Sequence, residues 1–359
     1  MASVGLSLFS GMGGDTLAME QSGYSVIAYN EFDKHARESH TLNFPESKAI
    51  FDPEHKKEKD QNNIQLIDSK VFEEYSGKID LIFGGFSCQG FSHAGKKLSS
   101  DPRNTLFRDF ARVTGIINPK YVIGENVEGL LKMKTETGEK FIDIIVSEFE
   151  KIGYSITYQI CRAEEYSVPQ LRKRLIIVGI RKDLNLEYSF PTDKSEVMGL
   201  EGIIKFNMKG AIKVLIEDFD FSTIPQECIL RDLDNDEDEN SVHPYLRLKV
   251  KTRGAEYEGK THNSLISFSK RISPIHSEII DIRKPSKTII CTYDHQPRLL
   301  VPLQNKNGYY LRCILPDELK QIQGFPKDFK LTGPKKEQIK QIGNAVPVPL
   351  IKKIILNFP

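Results

Sequence analysis

One of the chain's five cysteines stands where a structural thiol has little reason to be. The stretch GGFSCQGFSHAGKK, residues 84–97, follows the apolar run 79–83. It puts Cys88 among glycines, just past a strand and at the mouth of a basic-ended loop, whereas a buried cysteine would sit inside the apolar run. Glu125, in GENVEGLL (124–131), follows the apolar run Tyr121, Val122, Ile123 in the same way. In open α/β sheets the carboxyl ends of strands are where ligands bind. A thiol and a carboxyl on that edge suggest a nucleophile and an acid, although a carboxylate at a helix start is also a common cap. QLRKRLIIVG, 170–179, sets Arg172 and Arg174 two residues apart, on one face of an extended segment. Two guanidiniums at one edge suit phosphate or a polar base edge, exposed snorkelling arginines being the alternative.

A second constellation lies near the start. LFSGMGGDTLAM, 8–19, reads as strand, glycine turn, helix. Such glycines let a ligand approach the backbone at a helix N-terminus. Glu31 stands 17 residues beyond Gly14, at the end of the next apolar run. An acid at about that spacing binds ribose hydroxyls in adenosine-containing cofactors. A tight turn and a surface glutamate would look the same.

The elements that must position these residues alternate along the first half. Strands are predicted over 4–9, 24–29, 81–83, 121–123 and 175–180, and helices over 16–22, 34–43, 105–114 and 141–151. This alternation predicts an α/β fold with a doubly wound, mostly parallel sheet. From 191 to about 282 the text is irregular and charge-rich, and predicts a second, smaller domain. The apolar stretch 350–356 predicts a last helix packed back on the first domain.

The composition is that of an ordinary globular protein, with 359 residues, 39% hydrophobic and 28% charged. No run approaches the roughly 20 apolar residues that span a bilayer, and the first residues carry no secretory pattern. An intracellular protein with no membrane partner is the expectation. The cysteines form no C-x-x-C pair and are odd in number, so neither a zinc site nor a disulfide framework is expected. A formal net charge of +1 says nothing about nucleic acid. The acidic run 232–239 reads as a solvated loop, and the basic stretch after it as an exposed face.

Taken in order, FSGMGG, GGFSCQGFS, GENVEGLL, QLRKR, KPSKTIICTY (284–293), LPDELKQIQGFP (315–326) and GNAVPVPL (343–350) resemble the DNA cytosine-5 methyltransferase family. The resemblance covers nearly the whole chain except about 191–282, where that family keeps its target-recognition region. It implies a catalytic, cofactor-binding domain of residues 1–190 plus 338–359, with 191–337 as target-recognition domain and hinge. It implies Cys88 as nucleophile, Glu125 as the catalytic glutamate, and Arg172 and Arg174 as the paired arginines. S-adenosylmethionine would contact Phe9, Gly11, Gly14, Glu31, Phe32, Asn63, Ile64, Leu106 and Asn344. Gln89, Ser92, Lys96, Lys97 and Arg103 would meet double-stranded DNA. The implied enzyme is a monomer, not secreted, that acts in a bacterial cytoplasm or wherever the host DNA lies, either as the partner of a restriction enzyme in restriction-modification or as an orphan. Two positions depart from the pattern. Asn63 replaces an aspartate that contacts adenine, and Ser87 replaces the proline before the nucleophile.

The chemistry explains the setting of Cys88. Carbon 5 of cytosine is a poor nucleophile. A thiolate added at carbon 6 makes the ring an enamine that accepts a methyl from a sulfonium. The charge delivered to the ring must be met at N3 by a proton or hydrogen bond, the part expected of Glu125. The base must leave the duplex to be reached, and a glycine-rich loop that closes over it suits that step. Two alternatives stand beside this expectation. An RNA cytosine methyltransferase on the same fold would carry a Cys-Phe-Thr tripeptide, which is absent. A catalytically inactive DNA-binding homologue would have no chemical need for Cys88, Glu125, Arg172 and Arg174 together.

Overall fold

The computed structural model describes residues 3–86, 106–238, 244–251, 255–257, 260–262, 265–272 and 276–359. The first half builds strands β1 (Ser3–Leu8), β2 (Tyr24–Asn30), β3 (Lys48–Ala49), β4 (Leu81–Gly84), β5 (Tyr121–Val127), β6 (Tyr154–Arg162), β7 (Gln170–Leu171) and β8 (Lys173–Arg181). All but β7 join one sheet in the order β3-β2-β1-β4-β5-β8-β6. Its pairings are parallel except those of β8, which runs antiparallel to both neighbours. The doubly wound, mostly parallel sheet is therefore present. The direction of β8 is the feature an apolar run cannot encode.

Strand alternation divides the core. Leu81 and Phe83 point into one apolar cluster and Ile82 into the other, as period-two side chains must. Helix α1 (Gly14–Glu20) lies on the first face, and α2 (Lys34–Asn43) lines the same side through Phe44. Short α3 (Glu58–Gln61) and α4 (Lys70–Glu73) follow. Helices α5 (Leu106–Ile117) and α6 (Phe141–Lys151) cover the second face with Phe107, Phe110, Ile145 and Phe149.

A second sheet follows. Its strands are β9 (Ile212–Lys213), β10 (Leu230–Asp232) and, after α7 (Pro244–Lys251) and the β11 (Ala255–Tyr257)–β12 (Lys260–His262) hairpin, β13 (Ile266–Phe268) and β14 (Ser277–Ile279). After β15 (Ser286–Lys287) it is completed by β16 (Leu299–Asn305) and β17 (Gly308–Cys313). Its longest strands thus lie beyond residue 282. The acidic run is not a free loop. The Asp236 and Glu237 carbonyls accept bonds from Asn307 and Asn305, and Asp238 accepts the Tyr310 hydroxyl at 2.7 Å. Its side chains are mostly exposed, but the segment is tied to the β16–β17 hairpin.

Helices α8 (Pro316–Ile322), α9 (Lys335–Asn344) and α10 (Val348–Ile355) close the chain, and α10 packs on α1. One polar joint connects the first sheet to the later segments, and another lies within the second half. Gln170 donates to Gln323 at 2.9 Å and accepts from the Ile289 amide at 2.9 Å, while β7 pairs with β15. At the other joint Arg312, fully buried, donates to both Glu318 oxygens at 2.7 Å and to the carbonyls of Cys313 and Lys205. Removing one partner of a buried ion pair costs about 3–5 kcal/mol because the other charge is stranded. Arg312→Met should lower unfolding free energy in urea by about that much. Arg312→Met combined with Glu318→Leu should be less destabilised than Arg312→Met alone. Equal losses would show that the two carbonyl bonds, not the ion pair, carry the effect.

Candidate active site

The carboxyl edge of the first sheet gathers most of the residues singled out above. At the end of β1 the chain turns sharply, with Phe9 in the left-handed region at φ 56°. Strain of that kind persists only where neighbours impose it. Gly11 also has positive φ, 54°, and a Cβ there would meet nothing within 4 Å, so this glycine leaves the backbone open to a ligand. Gly14 differs: a Cβ on it would stand 2.9 Å from the Val346 carbonyl oxygen and 3.0 Å from Phe325. Its smallness serves packing against the C-terminal segment rather than approach by a ligand.

Glu31 lies beside the turn. Its two oxygens accept the amides of Gly11 at 2.7 Å and Asp33 at 2.6 Å. Burial raises its carboxyl above the ordinary value, and these two amides pull the other way. The next residue, Phe32, is an exposed ring with the Lys59 ammonium 5.2 Å from its centroid. Asn30 joins this edge to the following loops, donating to the carbonyls of Ile50 at 2.9 Å and Asn62 at 3.3 Å. Asn63 is half-buried and its side-chain oxygen accepts the Gln65 amide at 3.2 Å. Ile64 is buried in the core. Leu106 starts α5 and is half-buried, and Asn344 ends α9 exposed.

The neighbouring strand ends carry the acid. Parallel pairing of β4 with β5 sets Gly84 opposite Gly124, so Glu125 follows directly beside the exit of β4. In the antiparallel β5–β8 pair Glu125 faces Ile176 and Arg174 faces Val127. Glu125 and Arg174 are thus diagonal neighbours on one face. Arg174 Nε stands 2.7 Å from Glu125 Oε1, with both side chains largely buried. Next to it, the Asn126 side chain donates to the Phe86 carbonyl at 3.0 Å, while its oxygen accepts the Val127 amide at 2.8 Å. This ties the acid's strand to the backbone that leads toward Cys88. Cys88, Ser87, Gln89, Ser92, Lys96, Lys97 and Arg103 lie outside the described residues.

Arg172 and Arg174 make different contacts: Arg174 meets Glu125, whereas Arg172 turns to main-chain carbonyls. Residue 172 falls in the break between β7 and β8, where the two-residue period does not hold. Its buried guanidinium donates to the carbonyls of Ile289 at 3.2 Å, Gly343 at 3.2 Å and Ala345 at 3.1 Å. It therefore fixes the backbone on both sides of Asn344. Burial, with the Arg174 charge added, draws its pKa well below the ordinary arginine value.

Three features were not found in the sequence. Ser7 Oγ donates to Asp15, a buried carboxyl in the first turn of α1. Thr16 Oγ1 lies 2.9 Å from His40 Nε2, and burial pushes this histidine down to about 3. Lys340 on α9 donates to Asp33 at 2.6 Å and to Glu337 at 3.3 Å. Burial alone would raise Asp33, but the Lys340 and Ala36 bonds outweigh it and hold Asp33 below the ordinary value. An aspartate directly after Gly-Gly was the one available signal for Asp15. Nothing local signals the other contacts. Among the described residues no group of His, Cys, Asp and Glu could hold a metal ion, and no helix is long and apolar enough to cross a membrane.

A glycine turn, an acid on the next strand and a carboxyl–guanidinium pair, all on one sheet edge, define a methyltransferase-type α/β enzyme. The C-5 cytosine-specific DNA methylase family matches residues 4–358, and the chain belongs to it. Among similar proteins is the type II methyltransferase M.Eco47II of Escherichia coli, 30% identical over 356 residues, 96% of this chain and 76% of that protein. M.PspPI of Psychrobacter sp. is 32% identical over 359 residues, again 96% and 76%. The fold is shared with a crystal structure of a Spodoptera frugiperda DNMT2 mutant, with TM-score 0.66, 18% identity and 99% of both chains covered. It is also shared with Entamoeba histolytica methyltransferase EhMeth, with TM-score 0.62, 17% identity and 99% and 98% covered. The family's reaction is methylation of carbon 5 of cytosine in DNA, and this chain is an enzyme of that class.

The two arginines should separate experimentally. Arg172→Met leaves three buried carbonyls without their donor, at about 1–3 kcal/mol for each unsatisfied group, and should show chiefly as a lower urea midpoint. Arg174→Met should lower turnover with a smaller loss of stability. The opposite pattern in paired urea melts and turnover assays would reverse these roles.

Proposed function

We propose that the carboxyl edge of the first sheet is the active site for this reaction, with Cys88 as nucleophile and Glu125 as acid. The observation that carries it is Glu125, oriented by Arg174 and set beside the Phe86 backbone that Asn126 holds. The open face of Gly11, the Glu31 carboxylate and the exposed Phe32 ring fit an adenosine-bearing cofactor. Phe9, Gly11, Glu31, Phe32, Asn63, Leu106 and Asn344 would hold S-adenosylmethionine there, Ile64 through its main chain, while Gly14 keeps the turn packed. Bound, that cofactor supplies a methyl group on a sulfonium.

Cys88 Sγ adds to carbon 6 of a flipped-out cytosine, and the electron pair moves to carbon 5 as Glu125 meets the charge at N3 with its proton. Arg174 keeps the carboxyl turned toward the base. Once carbon 5 has gained its methyl and lost its proton, the electron pair returns to expel the Cys88 thiolate. The backbone side chains of the duplex contact, Gln89, Ser92, Lys96, Lys97 and Arg103, serve phosphates and fix register. Residues 191–337, which hold the second sheet, read the target sequence and set the hinge.

Fluorine at carbon 5 cannot leave as a cation. A long duplex with every cytosine of one strand replaced by 5-fluorocytosine should therefore trap the protein covalently, only with S-adenosylmethionine present. Cys88→Ser should abolish the shifted band on a denaturing gel, since a hydroxyl is a far weaker nucleophile near neutral pH. A band that persists in Cys88→Ser would show another nucleophile, and trapping on fluorinated RNA alone would change the substrate.

Glu125→Gln keeps an acceptor for Arg174 but has no acid proton. Turnover should fall by about 100-fold or more, with DNA retained in a gel-shift assay. Near-normal turnover would reduce Glu125 to a strand-end partner for Arg174.

A further inference from the structure

The mechanism leaves one buried carboxyl without a task. Asp15 follows the glycine turn directly, is 2% exposed, and has the fully buried Ser7 as its side-chain donor. Its own amide and that of Thr16 also reach the carboxyl. A second carboxylate, Glu31 at the end of β2, accepts the Gly11 amide of the same turn at 2.7 Å and adds to the rise of the Asp15 carboxyl. From α2 comes His40, reaching Thr16 and neutral near pH 7 because of its burial. From the C-terminal side Val346 and Phe325 press on Gly14 and are apolar. The nearest ammonium bound to this edge, Lys340, is engaged by Asp33 and Glu337. Among the described residues no cation pairs with Asp15. Glu31 is offset by the Arg37 guanidinium of α2, itself paired with Glu58 at 2.6 Å, whereas Asp15 is a desolvated carboxyl with no cation of its own, a setting in which the arrival of a cation favours ionisation.

We propose that Asp15 is a positioning residue that couples the cofactor seat to a proton, so that the cationic methyl donor binds with loss of the Asp15 proton and its neutral product does not. The inference rests on the reading that S-adenosylmethionine occupies the turn of Phe9, Gly11 and Glu31. Burial raises the Asp15 carboxyl to about 7, with the Ser7 and Thr16 bonds opposing and Glu31 adding to the rise. Near neutral pH it is then partly protonated. S-adenosylmethionine carries a sulfonium, an ammonium and a carboxylate, net +1 by general chemistry at about pH 7, whereas S-adenosylhomocysteine lacks the sulfonium. By linkage the cation lowers the Asp15 pKa, and the proton leaves to solvent. The product, once the methyl and the positive charge are gone, loses that electrostatic hold, which favours its release.

Titration calorimetry in two buffers of different ionisation enthalpy counts the protons. At pH 7 the unsubstituted protein should release a fraction of a proton on binding S-adenosylmethionine and clearly less on binding S-adenosylhomocysteine. Asp15→Asn, which keeps an acceptor for Ser7, should bind the donor with that release abolished. Ser7→Ala removes a bond that favours the carboxylate, so its release maximum should move to higher pH, and this variant decides the matter if Asp15→Asn does not fold. Undiminished release in Asp15→Asn, equal release with both ligands, or an unmoved profile in Ser7→Ala overturns the inference. No binding heat with the unsubstituted protein overturns the cofactor reading itself and this inference with it.

Discussion

One buried guanidinium sets where segments far apart in the chain meet. Arg172 leaves the sheet between β7 and β8, and its two terminal nitrogens donate to three carbonyls, those of Ile289, Gly343 and Ala345. A buried cation costs several kcal/mol to desolvate and is tolerated only where acceptors surround it. The backbone on either side of Asn344 therefore cannot move away without stranding the charge. Gln323 binds the same stretch from α8, donating to the Ile342 and Ala345 carbonyls, and returns to the sheet through Gln170. A Cβ on Gly343 would overlap the main chain of Cys291, so the two segments lie in direct backbone contact. The segments QLRKR, KPSKTIIC, IQGFP (322–326) and GNAV are distant in sequence and are one polar joint in space.

That joint explains why the catalytic half is assembled from both ends of the chain. Helix α10 covers α1, and Val346 presses on Gly14 at the glycine turn. Lys340 reaches Asp33, whose amide holds one oxygen of Glu31. A shift of α9 would thus be felt at the turn, at the acid of β2 and at Asn344 together. Coupling of this kind needs no moving part. It follows from placing the C-terminal helices as a packed wall of the first sheet's core.

The strand-end position of Glu125 was legible because a short apolar run followed by glycine or a polar group marks where a buried parallel strand stops. The doubly wound sheet was legible for the same reason. The partner of Glu125 was not, since pairing it with Arg174 needs β8 to enter antiparallel beside β5, and Leu175 to Ile180 read alike in either direction. The separation of Arg172 from Arg174 was hidden because the period of two assumes an unbroken strand. Gly14 looked like a ligand-facing glycine, but its constraint comes from Val346 in the last helix's approach. In the second sheet, β9, β13 and β14 are two or three residues long. Strands that short carry no measurable period, and the acidic run's attachment to the β16–β17 hairpin is made largely by main-chain carbonyls, which no side-chain pattern reveals.

The serine at position 87 can be weighed on the same footing. A proline there would stiffen the chain by fixing its own φ and removing a donor. Neither property is chemically required for a thiol to attack carbon 6. What the proposed chemistry would need is a fixed starting point for the segment that follows, and Phe86 is such a point. Phe86 is 2% exposed, its ring packs 5.7 Å from Phe110, and its carbonyl is held by Asn126. A carbonyl oxygen has two lone pairs, so the bond from Asn126 leaves one able to accept a cytosine amino group. Asn126 is itself locked by the Val127 amide, next to the acid that Arg174 orients. The backbone at Phe86 and the orientation of the Glu125 carboxyl are therefore set by adjacent residues of one strand.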